Sequence, residues 1–167
     1  MSVKALPFLF AMVCAGGCGG GGPVNFSVDG ERPLSSLTDA EIDKTCYELK
    51  LGMSTYFSAD EICTMAGLAM RELSKKDASY CEQFREACLA YPIDYYDSMS
   101  CDLKDEDLSS CSATVAELEA CANDQLKASK SMAAGLTCSS SLQSYENVAP
   151  PASCQALQAT CPGVSVF

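Results

Sequence analysis

Histidine and tryptophan are both absent from the 167 residues of this sequence. Without histidine, Ser-His-Asp and Cys-His catalysis and histidine-ligated metal sites are excluded. A Ser-Lys pair is still formally available, for example Ser74 beside Lys75, but adjacent residues on a helix point apart. These two residues indicate a polar turn. The sequence therefore predicts a protein that is not an enzyme.

Closely spaced cysteine pairs are also missing, since the shortest gap between cysteines is Cys-x6-Cys. Structural zinc sites and dithiol redox sites both need two thiols only a few residues apart. The acidic stretch Cys101–Asp107 lacks the ligand spacing of an EF-hand calcium loop, so we expect a solvated acidic turn there. No metal and no cofactor is predicted.

Basic residues are scarce: 11 Lys and Arg stand against 22 Asp and Glu, which gives a net charge of −11. A surface of this sign repels phosphate backbones, so nucleic acid is not an expected partner. It also gives no electrostatic attraction to anionic lipid headgroups.

The N-terminus has the layout of an export signal. Lys4 supplies a positive charge, Ala5–Val13 is an apolar run of nine residues, and small residues follow up to Cys18. Such a run is too short to span a bilayer, which takes about 20 residues. We assign residues 1–17 to a signal peptide.

Ala15-Gly16-Gly17-Cys18 resembles a bacterial lipobox, although such motifs usually carry Leu where Ala15 stands. The resemblance implies that Cys18 is diacylated and becomes the first residue. The Gly that follows it, in place of Asp, implies the outer membrane. Cleavage after Ala15 by ordinary signal peptidase is the alternative. The number of cysteines favours the lipoprotein. Lipid processing leaves ten thiols, which can all pair, whereas cleavage after Ala15 leaves eleven, of which one has no disulfide partner.

A glycine-rich segment comes next, with four glycines and Pro23 directly after Cys18. It resembles the flexible tether of Gram-negative lipoproteins. We predict a tether over residues 18–36, with a reach of roughly 25 Å. The folded domain is then expected over residues 37–167.

Cysteine is abundant in that domain, at a density typical of oxidised extracytoplasmic scaffolds. We predict disulfides for all ten cysteines after Cys18, namely Cys46, Cys63, Cys81, Cys88, Cys101, Cys111, Cys121, Cys138, Cys154 and Cys161.

Helix starts are marked by capping boxes, a hydroxyl at the N-cap and a carboxylate three residues on. They are predicted at Thr38–Glu41, Ser58–Glu61, Ser79–Glu82 and Thr114–Glu117. Apolar residues recur at helical spacing behind them, and Gly52 is a candidate C-cap. Alternating strand patterns are nearly absent. The sequence predicts an all-α, disulfide-stapled helical bundle.

The cysteine spacings indicate a duplication. Starting from Cys46, successive cysteines are 17, 18 and 7 residues apart, and starting from Cys121 they are 17, 16 and 7 residues apart. We therefore predict two tandem copies of a three-helix unit, over 37–92 and 112–162.

Two helices carry cysteines seven residues apart: Cys81 and Cys88 on one, Cys154 and Cys161 on the other. About 10 Å of helical rise separates such a pair, so its members cannot bridge each other and must staple to different segments. Ten cysteines allow 945 pairings. In an antiparallel helix hairpin, two residues equidistant in sequence from the turn lie level with each other. This favours the pairs Cys63–Cys88 and Cys138–Cys161.

Two features suggest binding surfaces. The architecture resembles plant lipid-transfer and seed-inhibitor proteins, although the adjacent Cys-Cys and Cys-x-Cys of that framework are missing. The resemblance implies a site for a small apolar ligand, lined by Met65, Met70 and Phe84. The alternative is that these three residues are simply part of the core.

Tyr91, Tyr95 and Tyr96 cluster near Pro92. They are either interface anchors, or Tyr91 packs on its own helix.

These observations lead to one expectation and one alternative. The first is a non-enzymatic lipoprotein, exported and anchored through Cys18 to the outer membrane on its periplasmic or cell-surface face. It would act as an interaction or structural module of the envelope. Its expected partners are the membrane, through the lipid anchor, and a protein of the envelope. The alternative is a carrier of a small hydrophobic ligand or lipid within the bundle.

Overall fold

The computed structural model describes residues 22–91, 103, 108–141, 148–162 and 164. These residues form five α-helices and no strand, with one isolated bridge between Pro33 and Thr114. The helices are α1 (Asp39–Tyr56), α2 (Ala59–Ser74), α3 (Ala78–Ala90), α4 (Val115–Ala133) and α5 (Ala152–Thr160), with short 3-10 helices at Leu34–Ser36 and Leu108–Ser110. The predicted all-α, disulfide-stapled bundle is confirmed.

Three of the four predicted capping boxes are present, with both hydrogen bonds formed: Thr38–Glu41, Ser58–Glu61 and Thr114–Glu117. The prediction at Ser79–Glu82 is wrong. Asp77 is the N-cap of α3, and its carboxylate accepts a hydrogen bond from the Ser79 N–H at 3.0 Å. A carboxylate caps as well as a hydroxyl does, so the helix begins two residues earlier than predicted.

Gly52 is not the C-cap of α1. The helix continues to Tyr56, and Gly52 lies buried within it. A Cβ at this position would lie 2.6 Å from Val24 Cγ2 and 2.7 Å from the Pro23 carbonyl oxygen. The glycine is required because another segment of the chain approaches the helix backbone directly.

That segment is the strap, residues 22–34, which lies between α1 and α4. Val24 is only 1% exposed. Its N–H donates to Asn123 Oδ1 at 2.9 Å, and its carbonyl accepts from Asn123 Nδ2, also at 2.9 Å. The Asn123 amide thus pairs with the strap as a neighbouring backbone strand would. Farther along, the Phe26 N–H donates to Glu119 at 2.7 Å and the Ser27 N–H to Glu48 at 2.9 Å.

The strap then pairs with the start of α4. The Ala116 N–H donates to the Gly30 carbonyl and the Val115 N–H to the Arg32 carbonyl, both at 2.9 Å, and the Leu34 N–H donates to Ala113 at 2.8 Å. The predicted flexible tether over 18–36 is therefore wrong for residues 22–36. Apolar side chains of the strap, including Phe26, are buried in the main core, so the strap belongs to the folded domain.

Helices α2 and α3 pack as an antiparallel pair. At their closest approach, a Cβ on Gly67 would lie 2.9 Å from the carbonyl oxygen of Cys81 and 3.1 Å from its sulfur. The two backbones approach too closely there for a side chain on α2. Leu68, Cys81 and Cys138 form a small second core beside this contact, separate from the main core.

Four disulfides join the described residues: Cys63–Cys88, Cys81–Cys138, Cys111–Cys161 and Cys121–Cys154. The predicted Cys63–Cys88 pair is present, and the predicted Cys138–Cys161 pair is wrong. Cys138 lies in a turn after α4. The helix-hairpin geometry assumed for it therefore does not apply. As expected, the two cysteines of α3 bond to different segments, and so do Cys154 and Cys161.

The two halves of the chain are not equivalent in structure. Cys63 pairs with Cys88, but their counterparts in the spacing pattern, Cys138 and Cys161, do not pair with each other. Where the first half has α2, the described residues 134–141 and 148–151 contain no helix. Cys46 is also disulfide-bonded, and Cys101 lies outside the described residues.

Within the part of the chain that the structure describes, no helix combines the length and the apolar character needed to cross a membrane. The disulfide framework is typical of an oxidising, extracytoplasmic compartment.

Candidate functional site

An apolar groove on the α2–α3 pair is the candidate functional site. Ile62, Ala66, Met70 and Leu73 follow one another along a single face of α2, and Phe84 and Cys88 of α3 form the opposite side. Their offsets of four, eight and eleven residues from Ile62 place the α2 side chains in one row. Together with Ala69 they enclose about 250 Å³.

The groove is open because α2 uses another face to pack. Cys63, Gly67 and Leu68 are buried on that packed side. The groove side is partly accessible to solvent, and its exposure is greatest at Leu73, which is 79% exposed. At the other end of the row, Ile62 is partly buried and packs against the main core. Exposed apolar rows of this kind mark binding surfaces more often than isolated exposed leucines do.

The floor of the groove is held rigidly at the Cys88 end. The Cys63–Cys88 disulfide joins α2 to α3 there, with 5.6 Å between the Cα atoms. On the adjoining turns, the Arg85 guanidinium binds the Asp60 carboxylate through Nε at 2.9 Å and Nη2 at 2.5 Å. This pair is partly exposed, so it adds at most about 1 kcal/mol to the contact between the two helices.

The chemistry of the lining is restricted. All seven lining side chains are apolar or part of a disulfide. The groove can therefore take up an apolar group by burial, and it offers no acid, base or nucleophile. Among the described residues there is also no group of three or more Cys, Asp or Glu side chains placed to hold a metal ion.

Two of the three residues proposed to line a ligand site, Met70 and Phe84, do line the groove, whereas Met65 packs against the main core. Leu73 lines the groove but was not among the residues predicted to line a ligand site. Its apolar side chain lies in the helical row that begins at Ile62, and such a row is compatible with a core face as well as with a binding face.

Other candidate residues lie away from the groove or outside the described structure. Tyr91 is the C-cap of α3 and is 80% exposed, so it does not pack on its own helix. Tyr95, Tyr96 and Cys18 lie outside the described residues. Of the acidic stretch 101–107, only Leu103 is described, and its side chain is buried.

A polar joint between the α1–α2 turn and α4 is the second notable cluster. Lys130 Nζ donates to Glu61 Oε2 at 2.5 Å and to the Tyr56 carbonyl at 3.0 Å. It also lies 5.6 Å from the Tyr56 ring centroid and 5.5 Å from that of Phe57. Glu61 Oε2 also accepts from the backbone N–H and the hydroxyl of Ser58, so this cluster joins the start of α2 to α4.

Glu61 makes this joint sensitive to acid. The hydrogen bond from Lys130 lowers the pKa of Glu61 from 4.5 to about 2, partial burial opposes the shift, and the Ser58 hydrogen bonds add to it. A carboxyl whose pKa is lower in the folded state stabilises the fold above its unfolded-state pKa. That stabilisation is lost as the pH falls through the folded-state value.

We expect the Lys130→Met variant to lose less stability than the wild type as the pH falls from about 4.5 to about 2. Methionine retains an apolar stem but removes the hydrogen bond that lowers the pKa most. Urea unfolding across this pH range measures the difference. Lys127→Met is the matched control, since Lys127 lies on the same helix and pairs only at 3.7 Å with exposed Asp124. Equal acid sensitivity in Lys130→Met and wild type would contradict this assignment.

No protein-family model, curated protein or solved structure matches this chain.

Proposed function

We propose that this chain is a non-enzymatic, membrane-tethered extracytoplasmic lipoprotein that acts as an interaction or structural module of the cell envelope. The disulfide framework carries the proposal, because four disulfides within residues 63–161 are typical of an oxidising compartment. Export is supplied by the signal-like residues 1–17. The lipobox-like Cys18 supplies an anchor at the outer membrane, on the periplasmic or cell-surface face.

The absence of an enzymatic role is supported by what the polar side chains do in the described structure. Thr38, Ser58 and Thr114 cap helices with their glutamate partners. Glu61 and Lys130 fix a helix joint. These groups are used in folding, and the groove itself is apolar.

Lipidation is tested by expressing the full chain in a Gram-negative host supplied with a clickable fatty acid. We expect wild type to be labelled and the Cys18→Ser variant to be unlabelled. The matched control is Cys14→Ser, which changes a cysteine that lipoprotein processing removes and should leave labelling intact. Equal labelling of Cys18→Ser and wild type, or no labelling of wild type, would overturn the lipoprotein assignment.

A carrier of a small hydrophobic ligand or lipid is the second candidate, and the open groove favours it. Its volume of about 250 Å³ is below the roughly 300–1,000 Å³ of most ligand sites, so one short apolar group would fill it.

We expect Ala66→Trp to fill the groove and to abolish any lipid adduct seen by native mass spectrometry. Ala66 lies in the middle of the lining row, and an indole there occupies the space available to a ligand. Lys127→Trp, an exposed change on α4, should retain the adduct. A wild-type protein purified from membranes without any non-covalent adduct would rule out the carrier.

A further inference from the structure

The strap fixes where the lipid anchor leaves the domain. Gly22 is packed so closely on α4 that a Cβ there would lie 2.3 Å from Asn123. The next two residues, Pro23 and Val24, lie against Gly52 of α1. Only four peptide units separate Cys18 from Gly22, so the two Cα atoms are at most about 14 Å apart. An anchor at Cys18 would hold this part of the domain at the membrane surface.

An unpartnered face of α1 borders the same point. Tyr47 is 66% exposed and Leu51 is 49% exposed. They are four residues apart and therefore share one face of the helix. Glu48, which binds the Ser27 N–H, and Gly52, which contacts Val24, follow them by one residue each. The exposed face thus runs along the edge of the strap.

The composition of this face suits a lipid surface. Tyrosine has an apolar ring and a polar hydroxyl, and it is enriched where membranes meet water. Lys44, three residues before Tyr47, is exposed on the same face, and a lysine can place its stem on lipid and its charge in water. Because the domain as a whole is acidic, a local patch of this kind would decide which side approaches the bilayer.

We propose that this α1 face, formed by Lys44, Tyr47 and Leu51, lies against the membrane that holds Cys18. The inference rests on the proposed lipid anchor. The two acyl chains supply the binding strength, and the α1 face sets the orientation. The α2–α3 groove then remains available to a partner or ligand.

The lack of tryptophan makes the orientation measurable with a single probe. Tyr47→Trp places an indole on the proposed face, and Tyr91→Trp places one at the end of α3, where the side chain is 80% exposed and does not line the α2–α3 groove. The full-length lipidated proteins are purified from membranes and reconstituted in phosphatidylethanolamine–phosphatidylglycerol vesicles with brominated acyl chains. Intact mass of the same samples shows whether Cys18 carries lipid.

We expect the bromolipids to quench the Tyr47→Trp emission at least about threefold more than the Tyr91→Trp emission, because a helix face that lies on the bilayer is buried about 5–10 Å into the headgroup region, within reach of the brominated chains. Equal quenching in lipidated samples would overturn the orientation and leave the lipoprotein assignment intact. A blue-shifted Tyr47→Trp emission without quenching would overturn it in favour of a protein partner. Samples without lipid on Cys18 would overturn both proposals, and the mass separates that result from the others.

Discussion

Replacing Cys81 and Cys138 together with alanine is expected to lower the free energy of unfolding by about 4 kcal/mol, because their bridge closes a loop of 57 residues. Cys81 belongs to the α2–α3 pair and Cys138 to the turn after α4, so this bond holds the pair to the rest of the domain. Both residues are buried in the small second core. Urea unfolding of the oxidised proteins measures the loss.

The matched control is the Cys63→Ala, Cys88→Ala double variant. Its loop spans 25 residues, and the expected loss is about 3.5 kcal/mol. The two variants are expected to differ mainly in which part of the domain loses its structure, and hydrogen exchange identifies that part. Loss of Cys81–Cys138 should expose amides around Cys138, whereas loss of Cys63–Cys88 should affect the groove end of α2 and α3. A loss below about 1 kcal/mol for the first variant would show that other contacts hold the pair in place.

Replacing Asn123 with leucine is expected to cost about 2–4 kcal/mol, since the N–H and the carbonyl of Val24 both lose their partner. Leucine has the same branching and number of side-chain heavy atoms as asparagine, but its methyl groups are bulkier than the amide oxygen and nitrogen, so overpacking against Gly22 adds to the loss of the hydrogen bonds. Val24 and Asn123 are both buried, and water does not replace the missing bonds there. Thermal or urea unfolding gives the magnitude.

Asp124→Ala on the same helix is the control for Asn123→Leu. Asp124 is exposed and accepts a hydrogen bond from Ser153 at 2.8 Å, so its loss should cost about 0.5 kcal/mol or less. Limited proteolysis separates the two variants further, because only Asn123→Leu should make the strap susceptible. A strap that stays protected in Asn123→Leu would mean that packing and the remaining hydrogen bonds, such as that of the Phe26 N–H to Glu119, hold it without Asn123.

Local signals predicted the helices well. A capping box lies within four residues, and its two hydrogen bonds form whenever the helix forms, so Thr38, Ser58 and Thr114 could be recognised from the sequence. The rule that Cys81 and Cys88 must bond to different segments followed from helical rise alone. The capping boxes and the spacing of Cys81 and Cys88 both depend on residues close together in the chain and not on the tertiary fold.

Long-range contacts could not be predicted in the same way. Asn123 binds Val24 across 99 residues, and nothing near either residue indicates the other. The glycine-rich start of the chain therefore suggested a tether through residue 36. The Cys138 pairing failed for a related reason, because the turn after α4 replaces the helix that the spacing pattern predicted.

The candidate groove was predicted only in part. Met70 and Phe84 were identified, but the apolar row on α2 is compatible with either a core face or a binding face. The choice depends on the close contact at Gly67, which turns the other face of α2 toward α3. That contact is visible only in the folded protein.

The most direct test of the central claim is the intact mass of the protein from a bacterial membrane fraction, alkylated with and without prior reduction. We predict a chain that begins at Cys18 and carries a diacylglyceryl group, with its ten other cysteines alkylated only after reduction. A mass that corresponds to cleavage after Ala15, or several thiols alkylated without reduction, would contradict a lipid-anchored, disulfide-stapled module.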